Sequence, residues 1–239
     1  MEFGVGSVLE GKVKQLVLVN CCDSARRVYD IVESTGKCNF LYMLDLPHED
    51  NECEKVKYAQ AIMRLKKAYE KFSGKTFDKE AFLNSFTENE TEMKPYIGLL
   101  GVRVTGILEK MIRDNIQMDV DNLTCTGGRQ LAVVPEQMRQ MDEEKMFLAY
   151  ADALLCQIPC FRMNNNTRRN QLYLDPNLKG IIYHTIKFCD YYGFEYASIK
   201  KNIKVPLLKI ETDFTSQSAG QLLTRIQAFA ETIEGSEDM

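Results

Sequence analysis

Ile181-Ile182-Tyr183-His184-Thr185-Ile186-Lys187-Phe188 is a short, apolar, β-branched run that closes on Cys189. Bounded by Gly180 and lacking polar alternation, it reads as a strand buried on both faces, the kind that parallel sheets carry. Two further strand-like runs end in the same way. Gln15-Leu16-Val17-Leu18-Val19-Asn20 is followed by Cys22, and Met118-Asp119-Val120-Asp121-Asn122-Leu123 by Cys125. In an open α/β sheet, ligands bind beyond the carboxyl ends of the strands. Three thiolates delivered there from separate strands could hold an iron–sulfur cubane with one iron left without a protein thiolate. That arrangement points to low-potential electron chemistry rather than hydrolysis.

Outward from these runs, strands alternate with helical patterns, which implies βαβ units and parallel sheets. Asp23 or Ser24 is placed to cap a helix over Ala25 to Glu33, and Phe40 to Leu46 reads as a second strand ended by Pro47. Val56, Ala59, Ile62, Met63, Leu65 and Ala68 recur at helical spacing between Glu52 and Phe72, with Gly74 as the stop. Asp78 caps a short helix to about Phe86, and the polar stretch Thr87 to Lys94 is the best linker. A second unit then opens with a strand from Ile97 to Val102 and a helix to Asn115. Helical segments follow over Glu136 to Leu155, and Thr167 caps another that runs to about Leu174. The pattern closes with a helix over Phe194 to Asn202, a strand over Pro206 to Glu211, and a last helix capped by Ser216 or Ser218. The expectation is an α/β chain with domains over 1–94 and 95–239.

Composition narrows the function classes. The 239 residues are 45% hydrophobic and 27% charged, ordinary for a globular protein, and the net charge of −4 argues against a nucleic-acid surface. No apolar run approaches the length that spans a bilayer, and Met1 to Gly6 lack the pattern of a signal peptide, so a cytoplasmic protein is expected. In a reducing compartment, eight cysteines are packing residues, metal ligands or catalytic groups rather than disulfides. No CxxC pair occurs, and His48 and His184 are the only histidines, which weighs against zinc-ribbon, thioredoxin and His-rich metal sites. GxSxG, GxxxxGK[ST] and HExxH are all missing.

Among the cysteines, Cys22 has the most favourable surroundings, between a strand end and a helix start where backbone N–H groups favour negative charge. Cys125 sits in Thr124-Cys125-Thr126-Gly127-Gly128, where the glycines let a bulky group approach the backbone. Beside Cys189, His184 and Lys187 could neutralise an anion; the plainer reading is a strand-end histidine and a solvated lysine. Taken singly, each cysteine is read at least as readily as a small buried hydrophobe. Cys160 is an outside candidate for a fourth ligand, and Cys21, Cys38, Cys53 and Cys156 are given no role. Arg168 and Arg169 read as a solvated helix face rather than a phosphate site, and Glu211 and Asp213 as capping groups.

Several motifs in order resemble the 2-hydroxyacyl-CoA dehydratase component D family, which includes benzoyl-CoA reductase subunits and double-cubane cluster proteins. They begin with Cys22-Asp23-Ser24-Ala25-Arg26-Arg27, Tyr42-Met43-Leu44-Asp45-Leu46-Pro47 and Cys125-Thr126-Gly127. They continue through Ile158-Pro159-Cys160-Phe161-Arg162, Asn166-Thr167-Arg168-Arg169 and Tyr183-His184-Thr185-Ile186-Lys187-Phe188-Cys189-Asp190, to Pro206 to Asp213 and Ser218 to Arg225. The resemblance implies two Rossmann/flavodoxin-like domains with parallel sheets that clasp a [4Fe-4S] cluster, its iron ligands being Cys22, Cys125 and Cys189. It implies a lyase subunit working with a second subunit or homodimer partner on a CoA thioester. An ATP-dependent activator would supply one electron, and water would leave by way of a ketyl radical. Only Met1 to Lys14 precede the first cysteine strand, where the family carries a longer segment, so the first domain reads as truncated. Two alternatives stand beside the dehydratase: a double-cubane or benzoyl-CoA reductase-like electron-transfer component, and a shortened non-catalytic paralogue.

Overall fold

The computed structural model describes residues 2–86, 94–124, 127, 131, 135–157, 160, 162–163, 167–187, 189–213 and 219–237. In chain order the first elements are α1 (Glu2–Leu9), β1 (Gln15–Val19), α2 (Asp23–Thr35), β2 (Phe40–Leu44), α3 (Glu52–Ser73) and α4 (Lys79–Leu83). Next come β3 (Tyr96–Gly101), α5 (Gly106–Asn115), β4 (Asp119–Asn122), α6 (Pro135–Arg139) and α7 (Glu143–Cys156). The chain ends with α8 (Thr167–Leu172), β5 (Leu178–Ile186), α9 (Asp190–Asn202), β6 (Leu207–Thr212) and α10 (Ala219–Glu237). The alternation read from the sequence is present, and both sheets are parallel, as an α/β protein requires. Among the described residues no helix is long and apolar enough to cross a membrane.

Two compact units divide the chain, one made of Met1–Glu88 with Leu131–Cys156, the other of Asn89–Gln130 with Gln157–Met239. In the first unit β1 and β2 pair in parallel, Gln15 opposite Phe40 through Val19 opposite Leu44. The long helix α3 is framed by its ends: Asn51 accepts from the Glu54 N–H, and Gly74, at φ 70°, donates its N–H to Glu70 O. Leu83, Met138, Met146 and Phe147 form a buried cluster. Phe77 and Phe82 pack on Phe147 at 5.4 Å and 6.0 Å between ring centroids. Lys55 meets Asp152 at 3.0 Å and Lys66 meets Glu143 at 2.6 Å, so α7 is joined to α3 by charge as well as by apolar area.

In the second unit the strand order is β4-β3-β5-β6. From β3 the chain moves to one side through α5, and from β5 to the other side through α9. Right-handed crossovers in opposite directions put the two helices on opposite faces. The core divides accordingly. Ile97, Leu99, Ile182 and Ile210 pack with Leu108 and Ile112 of α5 and Ile226 and Phe229 of α10. Leu100, Ile181 and Tyr183 pack with Tyr192 and Ile199 of α9. Neighbouring strand residues therefore serve different cores, which explains why β5 is apolar without alternation. The direction of winding reverses between β3 and β5, and their carboxyl ends flank the crevice where such folds take ligands. Gly101 ends β3 there at φ 92°, and a Cβ at that position would run into the His184 carbonyl.

Candidate functional site

Cys22 is itself the N-cap of α2, with extended backbone at φ −166° and ψ 167°. The sequence reading put the cap at Asp23 or Ser24; the helix starts earlier, so the cysteine occupies the junction. Its carbonyl accepts from Ala25 N at 3.0 Å and Arg26 N at 3.3 Å. Side chains brace this junction: Asn20 Nδ2 donates to Asp45 Oδ1 at 2.8 Å, and Arg26 Nε donates to Asn20 Oδ1 at 2.7 Å. Asn20 thereby links the ends of β1 and β2 to the first turn of α2. Spacing alone carried no signal for that amide, because an asparagine after a strand reads as an ordinary turn residue.

Cys189 repeats the arrangement in the other unit. It is the N-cap of α9, at φ −99° and ψ 95°, and the helix begins at Asp190 rather than near Phe194 as expected. A cysteine occupies the N-cap at each of two strand-to-helix junctions, the end of a helix where the dipole is positive. Cys189 and Cys160 both pack against the α9-side core. Cys160 Sγ lies 3.4 Å from the hydroxyl of Tyr192, in the first turn of α9.

Behind Cys189 the structure corrects one expectation. Arg169 is not on a solvated face; it is 3% exposed and paired with Glu195, which is 2% exposed. Arg169 Nη2 donates to Glu195 Oε2 at 2.8 Å and its Nε donates to Oε1. Tyr173 donates to Oε1 at 3.2 Å and Tyr183 to Oε2. Burial opposes the guanidinium charge, and the Glu195 carboxylate more than offsets it, holding Arg169 above its ordinary value. Burial first, then the Glu195 charge, push the Tyr183 hydroxyl up, so it stays protonated and donates. Glu195 escaped the sequence reading because an isolated acid on a helix reads as a solvated residue. The Arg168 side chain lies outside what is described.

His184 is fully buried and follows the plainer reading. A carbonyl can only accept, so Nδ1–H donates to Val102 O at 2.9 Å and Nε2 accepts from the Thr212 hydroxyl at 2.8 Å. Burial lowers its pKa against the pull of the Val102 and Arg103 carbonyls, which keeps the ring neutral. Lys187 pairs with Asp213 at 2.9 Å and Lys209 with Glu211 at 3.3 Å. The proposed caps Ser216 and Ser218 lie outside the described residues.

Cys125 also lies outside the described residues, but its neighbours are informative. Thr124 is fully buried and its hydroxyl donates to Asn122 Oδ1 at 2.7 Å. Gly127 N donates to Thr124 O at 3.0 Å, and a Cβ on Gly127 would collide with the Asn122 carbonyl. Gly127 therefore admits no side chain, because the Asn122 carbonyl fills the space a Cβ would need. Among the described residues no three ligating side chains form a metal group. A thiol at a helix start is the donor type that iron–sulfur clusters take.

Parallel strands that hand a cysteine to the next helix, in each of two units, define a two-unit α/β protein. The chain belongs to the family of the 2-hydroxyglutaryl-CoA dehydratase D-component, whose pattern it matches over residues 3–96 and 88–233. It is 27% identical over 180 residues to the protein named "Putative dehydratase subunit YjiM" of Escherichia coli (strain K12), covering 66% of this chain and 45% of that protein. It is also 27% identical over 157 residues to the (R)-phenyllactyl-CoA dehydratase beta subunit of Clostridium sporogenes, covering 59% of this chain and 40% of the relative. The matched regions span less than half the length of these two relatives.

Proposed function

We propose that the chain is the iron–sulfur subunit of a 2-hydroxyacyl-CoA dehydratase-type enzyme, with Cys22, Cys125 and Cys189 holding a [4Fe-4S] cluster. Its partners are a second dehydratase subunit and an ATP-dependent activator that donates the electron. The observation that carries this reading is the placement of Cys22 and Cys189, each the N-cap of a helix leaving a parallel strand, in a chain of this family. A bound cluster supplies low-potential one-electron reduction of a CoA thioester, the chemistry from which loss of the 2-hydroxyl as water follows. The chain's own part is to hold negative charge at the starts of α2 and α9 and to keep the junctions rigid. Asn20, Asp45 and Arg26 do this at Cys22. Near the carboxyl end of β2, a cavity of about 250 Å³ is lined by Asp45, Pro47, Lys57, Tyr58 and Arg64 among others. Lys57 is paired there with Glu54 at 2.7 Å, and Asp45 balances Arg64, so the lining carries no net charge.

Iron and acid-labile sulfide per chain, measured after anaerobic purification, test the reading against a Cys22→Ala, Cys125→Ala, Cys189→Ala variant. About four of each in the parent and almost none in the variant is the expected result. A folded parent that takes up no iron on reconstitution overturns it.

A further inference from the structure

Tyr183 and Glu195 stand on either side of Cys189, six residues before it on β5 and six after it on α9. Both are buried, and the Tyr183 hydroxyl donates to the Glu195 carboxylate. That bond ties the strand that delivers Cys189 to the helix that Cys189 caps, so the junction is bracketed from both sides. Glu195 is in turn fixed from α8 by the paired bonds of Arg169 and from Tyr173 at 3.2 Å. On the opposite face of β5, His184 fastens the next strand position to the ends of β3 and β6 through Val102 and Thr212. An ion pair this deep is often no more stabilising than apolar residues of equal volume. Its position, tying the strand before Cys189 to the helix that Cys189 caps, is what needs a physical account.

We propose that Tyr183 and Glu195 are positioning residues that hold the Cys189 thiol in place, with Arg169 acting by fixing the Glu195 carboxylate. The inference deepens the function proposed above and rests on Cys189 being a ligand. Tyr183 is fully buried and Tyr173 only partly, so the stability of each variant is measured beside its Cys189 rate. A purely structural network makes that rate follow the loss of stability in both. A positioning network does not: only the Tyr183 bond brackets Cys189.

The test compares Tyr183→Phe with Tyr173→Phe in the full chain. Alkylation of Cys189 by iodoacetamide is followed at one fixed pH in cluster-free protein, with Cys189 quantified by peptide mass spectrometry. The Cys189 rate is expected to change at least about threefold in Tyr183→Phe and to stay at the parent value in Tyr173→Phe. After reconstitution, the midpoint potential is expected to shift in Tyr183→Phe alone. Rates that follow the loss of stability in both variants, or an unchanged rate in a folded Tyr183→Phe, overturn the proposal. Should Tyr183→Phe fail to fold, a variant combining Arg169→Met, Glu195→Leu, Tyr173→Phe and Tyr183→Phe removes every polar member together. A changed Cys189 rate there supports the proposal, and an unchanged one defeats it. A parent that binds no iron defeats the dehydratase reading, while the alkylation arm still decides whether the bracket acts on Cys189.

Discussion

Glu195 and Arg169 show what a single buried charge demands. Four donated hydrogen bonds converge on the Glu195 carboxylate, and the Arg169 guanidinium lies 3% exposed beside it. Removing one partner leaves the other as an uncompensated charge in an apolar core. Arg169→Met alone is therefore expected to cost about 3–5 kcal/mol, and adding Glu195→Leu to recover part of it, since the Tyr183 and Tyr173 hydroxyls then lose their acceptor. Urea unfolding of the parent, the single and the double variant measures both quantities. Cys22, Cys125 and Cys189 were legible as candidates because each follows an apolar run. The buried pair was not, because burial belongs to the fold and not to the residue type: Arg168 and Arg169 look alike in sequence.

At the scale of elements, the strand ends of the second unit depend on one ring. His184 on β5 reaches the carbonyl after β3 and the hydroxyl of Thr212 on β6. Its pKa lies below the unfolded value of 6.5. The unfolded chain thus takes up a proton before the folded one, and the ring's contribution to stability is complete above about pH 6.5. It is lost as pH falls from there through the folded value, with a slope of at most about 1.4 kcal/mol per pH unit. Urea midpoints between pH 5 and pH 8 are expected to fall more steeply with acid in the parent than in His184→Gln, where this buried ring is gone. Strand identity was readable from β-branched runs, and α8 lies where expected, with Thr167 as its first residue rather than its cap. The starts of α2 and α9 were not readable, because cysteine is a weak capping residue and sequence preference favours aspartate or serine. The strand geometry on one side and core packing on the other set where those helices begin.

For the whole molecule, the chain path matters more than local preference. Leu131–Cys156 belongs with the first unit, where Phe147 is buried among Phe77, Phe82 and Met146. Phe147→Ala is expected to cost about 3–5 kcal/mol. Hydrogen exchange should register that loss as faster amide exchange in α3, α4 and α7; unchanged protection there counts against this packing. The sequence by itself determined the α/β class, the parallel sheets and the order of most elements. Those follow from hydrophobic period, β-branched runs and turn residues, which act within a few positions along the chain. The family is also written in the linear order of short motifs. Only the tertiary structure decided that α7 returns to α3, that β3 and β5 flank the reversal of winding, and that Glu195 and Arg169 meet inside. Each depends on contacts between residues far apart in sequence, whose energies come from burial and shared hydrogen bonds, and no local pattern encodes them.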